Sequence, residues 1–179
     1  MTDHFKGKYE AELKFRISDP APIRARLEAL HAEPFLLDNH EVDHYFESPS
    51  ATLGNQHVSM CLREMQPSGI RLWIVKGPGP SQCEAVNISD CDKAAVMLET
   101  LGFHPYFRME KTRSIYFCRQ FHVTLDHLPS LGYFAEVAVM TDDADQLRLL
   151  YQQLAQFARE LGLREQNQEK RSYRQLLGY

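Results

Sequence analysis

The chain has 179 residues, 44% of them hydrophobic, and a formal net charge of −4. That is enough apolar material for one core and a single domain over residues 1–179, and the acidic balance excludes a global basic field for nucleic acid. With no signal-like N-terminus, no apolar run long enough for a bilayer, and four cysteines (Cys61, Cys83, Cys91, Cys118) without a C-x-x-C pair, the sequence points to a cytoplasmic protein with reduced thiols and no membrane partner.

Taken in chain order, the first element is Tyr9 to Ile17, which alternates without a break. Tyr9, Ala11, Leu13, Phe15 and Ile17 fall on one side of a strand, and Glu10, Glu12, Lys14 and Arg16 on the other. Ser18-Asp19-Pro20 then predicts a helix start, with Ile23, Leu27 and Leu30 on one face to about His31 and Pro34 as its end. Phe35 to Phe46 reads as extended, and Ser48-Pro49-Ser50-Ala51-Thr52-Leu53-Gly54-Asn55 as a polar loop. His57 to Glu64 and Ile70 to Lys76 read as strands joined by the turn Pro67-Ser68-Gly69. Gly77-Pro78-Gly79-Pro80 breaks the chain before a short strand, Glu84 to Ile88. Asp90 caps a second helix with Ala94, Met97, Leu98 and Leu101 as its buried stripe and Gly102 as its stop. Arg108 to Arg119 and Phe121 to Asp126 form a predicted hairpin, followed by the apolar strand Tyr133 to Met140. Asp142 opens the longest helix, with Leu147, Leu150, Leu154, Phe157 and Leu161 at helical spacing and Gly162 ending it. The short turns favour antiparallel pairing, so the class is α+β. An antiparallel sheet curved into a barrel would turn the charged positions of many strands into one lumen.

Those charges are the functional signal. Glu10 and Glu12 lie about 6.6 Å apart along a strand, close enough for two long carboxylates to meet one hard cation. A half-exposed strand shows the same alternation, but isolated charges recur on later apolar strands. Arg63 follows Met60-Cys61-Leu62, and Lys76 shares the parity of Ile70, Leu72 and Ile74. Lys111 and Arg113 are two apart on one face, Asp126 ends Phe121 to Leu125, and Glu136 is enclosed by Phe134, Ala135, Val137 and Ala138. Charges in such settings are paired or bind a ligand. Three acids (Glu10, Glu12, Glu136) and five bases (Lys14, Arg63, Lys76, Lys111, Arg113) suit a triphosphate carrying Mg²⁺ or Mn²⁺.

Two motifs are decoys. His40-Glu41-Val42-Asp43-His44 matches H-E-x-x-H, but its neighbours favour a strand, which would hold the imidazoles about 13 Å apart and too far for one zinc. Gly77-Pro78-Gly79-Pro80 lacks the following G-K-[ST] of a phosphate loop. The other histidines, His4, His31, His57, His104, His122 and His127, show no metal spacing and are expected at polar surface positions. Trp73 alone makes no stacking platform for nucleic acid.

Glu10-x-Glu12-x-Lys14 on the first strand resembles the E-x-E-x-K signature of the CYTH, or triphosphate-tunnel, enzymes. The resemblance continues through Arg63, Ile74-Val75-Lys76-Gly77, Glu110-Lys111-x-Arg113, Leu125-Asp126, Phe134-x-Glu136 and Ser172-Tyr173-x-x-Leu176-Leu177. The segments His4 to Arg16 and Arg171 to Gly178 look most like bacterial class IV adenylyl cyclases. The resemblance implies a closed antiparallel β-barrel with flanking helices, often a homodimer, whose tunnel binds metal–ATP. It also implies conversion of ATP to 3′,5′-cyclic AMP and pyrophosphate, by metal-assisted attack of the ribose 3′-hydroxyl on the α-phosphate. By position, Glu12 and Glu136 would hold Mg²⁺ or Mn²⁺ with Glu10 beside them. Lys14, Arg63, Lys76, Lys111 and Arg113 would bind the triphosphate, and Asp126 would orient basic neighbours or assist at the metal. A metal-dependent triphosphatase on the same barrel is the alternative, with water attacking the γ-phosphorus. A non-catalytic binding module fits less well, because acids beside an anion site repel it unless a metal intervenes. No residue of the sequence singles itself out as the adenine reader; Phe5 and the apolar residues near the tunnel mouth are the candidates.

Overall fold

The computed structural model describes residues 3–49 and 53–179. Its elements are β1 (Tyr9–Ile17), α1 (Ala21–Ala29), β2 (Glu33–Glu47), β3 (Ser59–Gln66), β4 (Arg71–Lys76), β5 (Cys83–Asn87), α2 (Cys91–Thr100), β6 (His104–Cys118), β7 (Phe121–Leu128), β8 (Gly132–Thr141), α3 (Leu147–Glu160) and α4 (Tyr173–Leu176). The strands form one eight-stranded antiparallel sheet in the order β1-β8-β7-β6-β2-β3-β4-β5. β1 and β5 are its ends, so the sheet is open where the sequence led us to expect a closed barrel.

The chain divides into two compact units, Met1–Asp38 with Lys111–Tyr179, and Asn39–Glu110. In the first, β1 pairs with β8, β8 with β7, and β7 with β6. The odd positions of β1 predicted as apolar do face the core: Ala11 and Phe15 pack with Val123, Val137, Leu154 and Phe157. Helix α1 adds Ile23 and Leu27. Helix α3 is strongly amphipathic, with Leu150, Leu154, Phe157 and Ala158 buried. Removing a side chain such as Leu or Phe from water is worth about 1.5–3 kcal/mol, so this one stripe anchors α3.

In the second unit, β3 lies between β2 and β4, and β4 pairs with β5. Helix α2 covers a smaller cluster made by Phe46, Met60, Leu62 and Leu98.

Several predicted boundaries move, each for a local reason. α1 ends before Pro34, because Leu30 caps it and His31 adopts a left-handed φ of 54°; Pro34 lies within β2. β3 starts at Ser59 rather than His57, which has φ 57°. Asp90 caps α2 as predicted, accepting from the Lys93 N–H, but only Leu98 of the expected stripe is buried; Met97 and Leu101 are 65% and 71% exposed. Asp143, rather than Asp142, caps the 3-10 turn Ala144–Gln146 that leads into α3. Of the predicted polar loop, Ser50, Ala51 and Thr52 lie outside the described residues. The four cysteines are free thiols.

Candidate active site

Register decides which side chains meet. In the first unit Lys14 lies opposite Glu136, Thr124 opposite Glu136, and Arg113 opposite Asp126. Since side chains alternate along a strand, the face turned away from the helical core carries Glu10, Glu12 and Lys14 on β1. It also carries Glu136 on β8, His122, Thr124 and Asp126 on β7, and Lys111 and Arg113 on β6. The predicted site residues Lys14, Lys111, Arg113, Asp126 and Glu136 therefore share one surface with Glu10 and Glu12.

The chemistry there is a dense charge network. Arg113 donates from Nε to Asp126 Oδ1 at 2.6 Å and from Nη2 to Glu136 Oε2 at 2.8 Å. Thr124 donates its hydroxyl to Glu136 Oε2 at 3.1 Å, and Lys14 Nζ stands 4.0 Å from Glu136 Oε1. Tyr173, brought in by the capping box that starts α4 at Ser172, donates its hydroxyl to Asp126 Oδ2 at 2.8 Å. Its ring lies beneath the Lys14 ammonium at 4.4 Å. Burial is unusually deep for such groups: Lys14 is 8% exposed and Lys111 2%. Burial pushes the Asp126 carboxyl above its ordinary range, against the pull of Arg113. Burial, with Glu136 and Asp126 nearby, drives the Tyr173 phenol well above its usual value, so it stays a donor.

The second unit repeats the motif on a smaller scale. Arg63 lies opposite Asp43 and grips it with two bonds, Nε to Oδ1 at 2.6 Å and Nη2 to Oδ2 at 2.8 Å. Arg63 Nη1 stands 3.4 Å from Glu41 Oε2. Both acids are fully buried. Lys76 ends β4 opposite Ser59, exposed, and shares the parity of Leu72, the residue opposite Arg63. Sequence reasoning passed over Glu41 and Asp43 because they sit inside the H-E-x-x-H decoy. The signal was present: on a strand, His40, Val42 and His44 fall on one side and the two acids on the other. The motif is no zinc site, since His40 and His44 lie within the extended strand β2.

Histidine 122 is a second omission. It was expected at the surface, but it is buried on the charged face with Nε2 at 3.5 Å from Glu10 Oε1. A buried residue between Phe121 and Val123 on a strand points away from both, which for β7 means toward the charges.

As for a metal, no three His, Cys, Asp or Glu side chains among the described residues are already gathered around one point. The donor chemistry nevertheless fits a hard cation. Glu10 and Glu12 are carboxylates on one side of β1. Glu12 lies opposite Ala138, making Glu136 its diagonal neighbour at roughly 7–8 Å, within reach of long side chains. A cavity of about 240 Å³ bordered by Arg24, Asp38, Asp126, His127 and Tyr133 touches the charged network at Asp126, while its lining residues Thr112, Leu125, His127 and Tyr133 have the parity of the helical core.

Residues 8–173 match the CYTH domain model. The chain belongs to the CYTH domain family. This CYTH chain is 51% identical to the adenylate cyclase CyaB of Aeromonas hydrophila, over 98% of its own length and 92% of that protein. Its fold superposes on an X-ray structure from Vibrio parahaemolyticus, provisionally assigned as an adenylate cyclase, with TM-score 0.93 and 40% identity, covering 97% of this chain and all of that one. A Pyrococcus horikoshii protein gives TM-score 0.81 at 26% identity, covering 94% and 98% of the two chains.

Proposed function

We propose that this CYTH protein is an adenylyl cyclase that converts ATP to 3′,5′-cyclic AMP and pyrophosphate, with residues 1–179 acting as one domain. The observation that supports it most is the 51% identity to a curated adenylate cyclase across nearly the whole chain. Buried cations on the strand face are the physical support, because lysines and an arginine withdrawn from water are suited to phosphate oxygens.

In this reading Lys14, Lys111 and Arg113 bind the triphosphate. Arg63 and Lys76 join them on the strength of the motif resemblance. Attack of the ribose 3′-hydroxyl on the α-phosphorus builds negative charge on the departing pyrophosphate, and preorganised cations stabilise that charge. Asp126, itself held by the Tyr173 hydroxyl, accepts from the Arg113 guanidinium and so orients it before substrate arrives. Glu12 and Glu136, with Glu10, would hold Mg²⁺ or Mn²⁺, which supplies Lewis-acid neutralisation of phosphate charge when bound. Removing one of these cations should cost about 100- to 1000-fold in turnover. A homodimer in the cytoplasm, where ATP is abundant, completes the proposal.

The test is purified protein with ATP and either Mg²⁺ or Mn²⁺, with products resolved by chromatography and phosphorus NMR. Cyclic AMP with equimolar pyrophosphate is the expected result. Orthophosphate with ADP, or turnover of inorganic triphosphate only, would overturn the cyclase in favour of a triphosphatase on the same charged face. Sedimentation of the same sample checks the dimer.

A further inference from the structure

The helical face of the first unit carries a cavity of about 240 Å³ that the charged row leaves unused. Thr112, His127 and Tyr133 line it from three neighbouring strands, where register sets them side by side, and Leu125 belongs to the next row. The His127 and Tyr133 rings lie 4.4 Å apart. Pro20, Arg24 on α1 and Asp38 on β2 complete that side of the lining. One water takes about 30 Å³ in the liquid, so the space suits a molecule of roughly eight or more non-hydrogen atoms.

The two charged groups that open onto it are fixed in advance. Arg24 donates from Nη1 to the Tyr116 hydroxyl at 2.8 Å, and from Nη2 to Asp38 Oδ1 at 2.9 Å and Ser114 Oγ at 3.1 Å. The Asp38 N–H donates to Ser114 Oγ at 2.9 Å, and the Ser114 hydroxyl donates back to Asp38 Oδ1 at 3.1 Å. Asp38 is held there with a left-handed φ of 47°, a conformation that side chains other than glycine's adopt chiefly at functional sites. The network leaves two atoms over. Among the described residues, the Arg24 Nε–H has no acceptor and Asp38 Oδ2 has no donor. The carboxylate of Asp126, which also borders the cavity, is already engaged by Arg113 and Tyr173.

We propose that this cavity binds a free α-amino acid with an apolar side chain, Arg24 taking its carboxylate and Asp38 its ammonium. One open guanidinium N–H beside one open carboxylate oxygen matches a zwitterion whose two charges sit on the same carbon. A polyanion such as a triphosphate would meet the Asp38 and Asp126 carboxylates, and like charges brought together are strongly disfavoured. A simple amine would meet the Arg24 guanidinium in the same way. Leu125, Pro20 and the Tyr133 ring supply the apolar surface for the ligand's side chain, the usual make-up of a small-molecule site. Because Ser114 already ties Arg24 and Asp38 together, the ligand orders little on arrival. The site goes beyond the nucleotide reading, since its lining has the parity of the helical core and the sheet stands between it and the charged row.

Calorimetric titration of the whole protein with L-leucine and L-phenylalanine is the test. At least one should bind, and saturating inorganic triphosphate should leave that binding in place. The amide of the bound amino acid lacks the carboxylate, and its deaminated acid lacks the ammonium. Each should bind about tenfold more weakly, the usual loss for a hydrogen bond to a charged group. Asp38→Asn and Arg24→Gln should cost a similar factor, about tenfold. The amide and the deaminated acid probe the unchanged chain, so the result does not depend on how well Arg24→Gln folds. No binding of either amino acid, equal binding of the amide or the deaminated acid, or unchanged affinity in Asp38→Asn would overturn the site. Displacement by inorganic triphosphate would overturn it too, by moving the ligand to the charged face.

Discussion

The two units solve one problem with different amounts of redundancy. Each places an arginine on a strand directly opposite an aspartate of the neighbouring strand, Arg113 with Asp126 and Arg63 with Asp43, and each brings a second acid to the same guanidinium. In the first unit that fork is embedded further: Thr124 and Lys14 reach Glu136, and Tyr173 from the C-terminal segment reaches Asp126. The opposite faces differ in the same sense. Behind the first network lies the deep stripe of α3; behind the second, α2 buries only Leu98. A charged row inside a fold is tolerated where register supplies partners and a separate apolar face supplies the stability.

Breaking the forks gives the largest expected effects. Arg113→Ala leaves Asp126 and Glu136 without their guanidinium and should destabilise by about 3–5 kcal/mol, seen as a lower midpoint in urea unfolding. Its turnover should drop well beyond what the loss of folded protein explains. Arg63→Ala should cost a similar amount of stability, because Asp43 and Glu41 are equally buried. If it costs less than about 1 kcal/mol, the correspondence between the two forks fails.

The helical faces give the next contrast. Leu154→Ala in α3 removes a fully buried side chain and should cost about 2–5 kcal/mol. Met97→Ala in α2 should stay within about 0.5 kcal/mol, as exposed substitutions do. Equal losses on thermal unfolding would mean that α2 is covered in solution. Asp90→Ala, which deletes the side-chain acceptor at the start of α2, should cost about 1 kcal/mol.

The smallest effect is a pH dependence in the segment that carries Tyr173. Glu169 accepts from Arg171 and Arg16, and its N–H donates to the Lys14 carbonyl. Arg171 first, with Arg16, holds its carboxyl down from the usual 4.5 to about 2. A depressed acid favours the fold in its ionised form, so this contribution is complete above pH about 4.5 and is lost as pH falls towards about 2. Glu169→Gln should flatten the acid limb of the stability curve over that window. An identical limb in the variant would remove Glu169 from the account.

Local order along the chain determined the sheet-forming alternation of Tyr9 to Ile17, the stripe of α3 and the Asp90 cap, because each is set by residues within a few positions of one another, and it marked isolated charges on apolar strands, which register then brought together. The motif resemblance reached the family from short motifs spread between His4 and Gly178. The tertiary structure decided which faces are covered. Met97 and Leu101 have the spacing of a buried stripe, but a helix buries only the face that another layer meets. Glu41 and Asp43 look like surface acids inside a false zinc motif until register sets Arg63 across from them. His122 is an ordinary strand histidine in sequence, and only pairing of β7 with β8 turns it toward Glu10. Burial and pairing are properties of neighbours brought together from far along the chain, and no short stretch of residues carries them by itself.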